Sequence, residues 1–168
     1  MHLFYFIFVT LSATLAYADF DLYDGYVKGW QDDFPTSTWF VFASPPNCDD
    51  VFSSLTQSYA EMDDVSGDHT GVRCEGAGCG SPDRSSDPYN VDVLEMHFAN
   101  NPLWHFTIYK DRGSPYKMYG LDGKTYGECI PFPGHSFDCL DWVIARSASR
   151  MFRCYTEVSA AEIEGGER

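Results

Sequence analysis

Two histidines and a glutamate lie on two neighbouring segments in which apolar and polar residues alternate. Glu95 and His97 belong to VDVLEMHF and His105 to WHFTIYK, and the turn-forming residues ANNPL separate the two segments. If Phe98 pairs with Trp104 in a hairpin, His97 and His105 become cross-strand neighbours and Glu95 shares their face. Two imidazoles beside a carboxylate can supply a general acid and a general base, because histidine titrates at about pH 6.5.

This face predicts one of two roles. The first is hydrolysis, most plausibly of RNA, in which Arg112 stabilises an oxyanion or a phosphate if the following turn folds it back. The arrangement resembles small secreted guanyl-type ribonucleases in topology, but no segment matches their catalytic motifs in order, so no catalytic residue is assigned. In the second, these residues are only the solvent-facing side of a half-exposed sheet, which the acidic net charge favours. A metal site would lack a fourth ligand, so we expect no metal and no other cofactor.

A second hairpin follows the first. Asp122 and Gly123 supply the residues of a tight turn, and the resulting register sets Lys117 opposite Glu128 and Tyr119 opposite Tyr126. The two hairpins together predict an antiparallel meander of at least four strands.

One helix is expected to cover the apolar face of this sheet. The aromatic and β-branched segment 36–43 predicts a buried strand, and Asn47 can cap the helix that follows it. The apolar residues at helical spacing are Val51, Phe52, Leu55, Tyr59 and Met62. The apolar stretch 140–145 fits a second helix or a strand. The predicted fold is therefore α+β, with the sheet packed against one main α-helix and stabilised by disulfides.

The chain divides into three parts. Residues 1–18 contain no Asp, Glu, Lys or Arg and end in Ala-Tyr-Ala, which predicts a signal peptide cleaved after Ala18. Residues 19–154 form a single domain, and we expect the acidic tail 155–168 to be disordered. No later segment is apolar enough to span a membrane, so the mature protein is expected to be secreted.

Composition restricts the partners. The formal net charge is -14, with 25 acidic and 11 basic side chains among 168 residues. Such a charge repels phosphates, so nucleic acid is not expected to bind through bulk charge. Trp39 and Trp104 have core positions in the predicted sheet, which leaves Trp30 and Trp142 for the surface. Two such residues are too few to predict a carbohydrate site.

All six cysteines lie in the predicted mature chain. An oxidising secretory route favours three disulfides, although the spacing does not choose among the possible pairings. The six residues are Cys48, Cys74, Cys79, Cys129, Cys139 and Cys154.

Three segments, 64–79, 94–113 and 120–130, resemble uncharacterised small secreted cysteine-rich proteins of filamentous fungi. This resemblance implies a candidate effector, a virulence protein that binds an unidentified host protein and modulates immunity. It would act in the host apoplast or inside host cells after uptake. The resemblance transfers no catalytic residue, and we expect no enzymatic activity. A ribonuclease-like hydrolase and an antimicrobial or toxin-like protein are the alternatives.

Overall fold

The computed structural model describes residues 18–53, 56, 58–80 and 86–166, and these form ten β-strands and two short helices. The strands are β1 (Ala18–Gly29), β2 (Thr36–Phe42), β3 (Ser58–Ala60), β4 (Gly71–Glu75), β5 (Val93–Asn100), β6 (Leu103–Tyr109), β7 (Tyr116–Gly120), β8 (Thr125–Pro131), β9 (Ser136–Leu140) and β10 (Ile144–Thr156). The helices are α1 (Cys48–Val51) and α2 (Ala160–Gly165). Apart from Ala18, the predicted signal peptide lies outside the described residues.

The strands form one sheet that nearly closes on itself. Their order is β3-β2-β1-β10-β8-β7-β6-β5-β4, and β9 pairs with the first half of β10. A parallel bridge between Glu61 and Val72 brings the two ends of this order together. Near closure of the sheet reduces the number of backbone N–H and C=O groups that are left unpaired at its edges.

The predicted α+β fold is therefore wrong, because the protein is mostly β, with 52% strand in a barrel-like antiparallel sheet. Asn47 caps a helix as expected, accepting hydrogen bonds from two backbone N–H groups, but α1 ends after one turn. Tyr59, expected on the helix, lies instead in β3 opposite Trp39 and contacts Phe98 at 4.8 Å between ring centroids. Strand pairing that closes the sheet outweighs the helical spacing of these residues. Leu55 lies outside the described residues.

Apolar side chains form two cores, one on each side of the sheet wall. The larger core fills the interior and includes Trp39, Phe98 and Phe152. The smaller core lies outside β1, β2, β9 and β10, where Phe40 and Val51 are buried. Because side chains alternate along a strand, successive residues of β2 contribute to different cores.

A buried ion cluster joins β1 to β10. The carboxylate of Asp21, which is fully buried, accepts hydrogen bonds from Arg150 at 2.9 Å and from Arg153 at 2.7 Å. Both guanidinium groups stack on the ring of Phe132. The two arginines thereby donate hydrogen bonds to both oxygens of the buried carboxylate and compensate its charge.

The hairpin registers agree in part with the sequence prediction. His97 pairs with His105 as predicted, but a bulge at Phe98 sets Ala99, not Phe98, opposite Trp104. Lys117 pairs with Glu128 as predicted, with a salt bridge of 2.6 Å. Another bulge then shifts the β7–β8 pairing, so Tyr119 faces Thr125 instead of Tyr126. The extra residue of a bulge cannot be read from alternation alone.

All six cysteines are paired, as expected for a disulfide-stabilised protein. The bonds are Cys48–Cys139, Cys74–Cys79 and Cys129–Cys154. The first ties α1 to β9, the second ties β4 to the loop that follows it, and the third joins the neighbouring strands β8 and β10. Each restricts the unfolded chain and so favours the folded state.

The segment expected to be a disordered tail is ordered through residue 166. β10 continues to Thr156, and a capping box formed by Ser159 and Glu162 then starts α2. Ile163 is buried in the larger core, and its carbonyl oxygen accepts a hydrogen bond from the Tyr59 hydroxyl at 3.4 Å. None of the helices in the described part of the chain has the length and apolar character needed to cross a membrane.

Two carboxyl groups lie where the sheet closes. The Asp24 carboxylate is buried and accepts hydrogen bonds from the Gly80 N–H at 2.9 Å and the Ser86 hydroxyl at 2.7 Å. Glu61 accepts one from the Trp39 indole at 3.1 Å. Burial raises the pKa of both groups despite these hydrogen bonds, and the charge of Asp24 raises that of Glu61 further.

The free energy of unfolding of the Glu61→Gln variant, taken relative to that of wild type, is expected to rise as the pH increases from about 4 to 7. A carboxyl whose pKa is raised in the folded state stabilises it while protonated, and this contribution is lost above the folded pKa. Glutamine has no such dependence. Urea unfolding followed by tryptophan fluorescence at several pH values measures the difference between the two proteins. A difference that is constant with pH contradicts the prediction.

Candidate functional site

The polar face of the β5–β6 hairpin brings the predicted acid–base residues together. The rings of His97 and His105 stack with centroids 4.6 Å apart, and His105 Nε2 lies 2.9 Å from a carboxylate oxygen of Glu95. Arg73, on the neighbouring β4, donates to the other oxygen of Glu95 at 2.8 Å. Partial burial opposes ionisation of Glu95, but these two hydrogen bonds outweigh it and hold the pKa of Glu95 below its usual value.

Both imidazoles of this face are buried, and His97 contacts the loop that precedes β4. His97 is 0% and His105 4% exposed, and the side chain of Val65 in that loop is also buried. His97 Nδ1 lies 3.0 Å from the Val65 carbonyl oxygen, which can only accept, so Nδ1 carries the proton. Neither ring is exposed to a substrate in this structure. The contacts therefore fit a structural role for the pair better than catalysis.

Arg112 does not join this cluster. Its guanidinium lies over the ring of Tyr109, 3.8 Å from the centroid, and 4.9 Å from that of Tyr119. Within the described ranges, no group of three or more histidine, cysteine, aspartate or glutamate side chains is arranged to hold a metal ion. The hydrolase interpretation placed the Arg112 guanidinium beside an oxyanion or a phosphate, but it contacts aromatic rings instead.

A second candidate site lies where two strand connections meet. The Trp30 N–H, just after β1, donates to the carbonyl oxygen of Val143, just before β10, at 2.9 Å. Large apolar side chains on these connections, together with Leu140 at the end of β9, are turned to solvent, and we call them the aromatic tip. They are Trp30 (77% exposed), Phe34 (81%), Leu140 (81%), Trp142 (97%) and Val143 (52%).

Local hydrogen bonds fix the backbone of the aromatic tip. The carboxylate of Asp32 accepts from the Gly29 N–H at 2.9 Å, and the Asp32 N–H donates to the Gly29 carbonyl at 3.1 Å. Asp141 accepts from the Trp142 N–H at 2.6 Å and donates its own N–H to the Ile144 carbonyl at 2.9 Å. The exposed side chains therefore stand on turns with defined backbone geometry.

Sequence reasoning did not predict the aromatic tip. It placed 140–145 in a helix or strand, whereas Asp141, Trp142 and Val143 form the turn between β9 and β10. Single exposed apolar residues are ordinary on a protein surface, but several on adjoining turns are typical of an interaction site. The contact that makes them adjoining, between the Trp30 N–H and the Val143 carbonyl, joins residues far apart in the chain and has no sequence signal.

No family model, no curated protein and no solved structure matches this chain.

We expect the purified protein to cleave RNA no faster than its His97→Ala and His105→Ala variants, because both rings are buried. His97→Ala should instead lower the free energy of unfolding by about 1 to 3 kcal/mol, since it leaves the Val65 carbonyl without its partner. Urea unfolding and an RNA-cleavage assay measure the two effects. The exposed His69→Ala serves as the control for stability. RNA cleavage that both substitutions abolish in stably folded protein would establish the hydrolase role instead.

Proposed function

We propose that this protein is a secreted, effector-like virulence protein that binds a host protein through its aromatic tip and thereby modulates host immunity. The observation that supports the proposal most is the exposure of Trp30 and Trp142 on adjoining turns. Tryptophan is enriched at the centres of protein interfaces, where burial of its large ring contributes much of the binding energy. The three disulfides are compatible with an extracellular protein.

The scaffold beneath the aromatic tip supports binding at this place. Cys139 lies one residue before Leu140, and its disulfide to Cys48 holds β9 against α1. Phe137 and Cys139 are buried in the smaller core, which underlies the same hairpin. A rigid scaffold lowers the entropic cost of binding, because the backbone of the turns does not have to be ordered by the partner.

The double substitution Trp30→Ser with Trp142→Ser is expected to abolish both retention of a host protein from extract and suppression of an immune output such as the reactive-oxygen burst. Neither ring contributes to a core, so the variant should unfold at the same urea concentration as wild type. Affinity capture and the burst assay are performed with both proteins.

Leu121→Ser provides the matched control, because Leu121 is a 66% exposed apolar residue on a different turn, between β7 and β8. This variant should behave like wild type in both assays. If the double tryptophan variant retains full capture and full activity, or if the Leu121 variant loses them equally, the aromatic tip is not the binding site.

A further inference from the structure

We infer that the partner of the aromatic tip presents a cationic protein surface around an apolar pocket, an inference that rests on the proposed function. Exposed acidic side chains surround the apolar ones: Asp32 and Asp33 lie between Trp30 and Phe34, and Asp141 precedes Trp142. Asp138 shares a face of β9 with Leu140, because alternate residues of a strand point the same way. Four carboxylates thus border the patch.

Basic side chains at this end of the sheet do not balance these acids. Lys28 is exposed near the end of β1. Arg146, on β10, is partly buried: it donates to the Val51 carbonyl at 2.6 Å, and its guanidinium lies 5.3 Å from the centre of the Phe52 ring. The fixed charge at the aromatic tip is therefore negative. An interface rim of this kind attracts a positively charged partner and raises the association rate.

The same charge argues against the other occupants of an exposed apolar patch. Anionic lipid headgroups would meet four carboxylates, so insertion of the two tryptophans into such a membrane is opposed. A second copy of this chain would bring the same acids and a net charge of -14 to the interface. A cationic protein surface with an apolar pocket makes favourable contacts with both the apolar and the acidic side chains of the aromatic tip. The acidic side chains repel partners of like charge.

The test uses immobilised full-length protein and two synthetic amphipathic helical peptides, one of leucine and lysine and the other of leucine and glutamate. We expect the lysine peptide to bind, with an affinity that falls as salt is added, and the glutamate peptide not to bind. Trp142→Ser should weaken binding of the lysine peptide by about tenfold or more. The triple variant Asp32→Asn, Asp33→Asn, Asp141→Asn should slow its association by about tenfold, because asparagine keeps the acceptor oxygen for the turns but removes the charge.

The matched control is the triple variant Asp68→Asn, Asp111→Asn, Glu157→Gln, which removes the same charge elsewhere on the surface. It should bind the lysine peptide nearly as fast as wild type. Equal effects of the two triple variants, tighter binding of the glutamate peptide, or binding to phosphatidylserine vesicles would overturn the inference. Capture from host extract that needs Trp142 but not the three aspartates would overturn it while leaving the proposed function intact. Capture that needs neither would overturn both.

Discussion

The structure depends on the ion cluster of Asp21 with Arg150 and Arg153. Residues three apart on a regular strand point to opposite faces, so both arginines can reach Asp21 only because the β1–β10 pairing bulges next to Leu22. Removing one partner from a buried pair typically costs about 3 to 5 kcal/mol. The cluster therefore fixes the register of the longest pairing in the sheet, on which the other strands are assembled.

The extended β1–β10 pairing also explains where the binding surface lies. Its second half, beyond Asp21, extends between β9 and β2, with which it pairs, and it ends at the turns that carry the aromatic tip. Apolar packing of the smaller core and the Cys48–Cys139 bond fix this extension. The exposed side chains therefore project into solvent from a packed and cross-linked support.

Local patterns in the sequence predicted local structure. Alternation gave the β5–β6 hairpin, including the pairing of His97 with His105, and capping chemistry gave the start of α1 at Asn47. The interactions that were missed are long-range: Asp21 looks like a solvated acid until two arginines 129 and 132 residues away are known to contact it. The spacing of Tyr59 fits a helix until closure of the sheet assigns it to a strand. For the same reason, Trp30 and Trp142 could be left for the surface, but the aromatic tip could not be recognised as one surface.

Contact between the aromatic tip and the partner can be detected by site-specific photocrosslinking in host extract. A photoreactive phenylalanine derivative is placed at position 142 in one protein and at position 121, on the distant exposed turn, in another. We expect a single crosslinked host protein from position 142 and none from position 121. Crosslinking of the same protein from position 121, with none from position 142, would contradict this expectation.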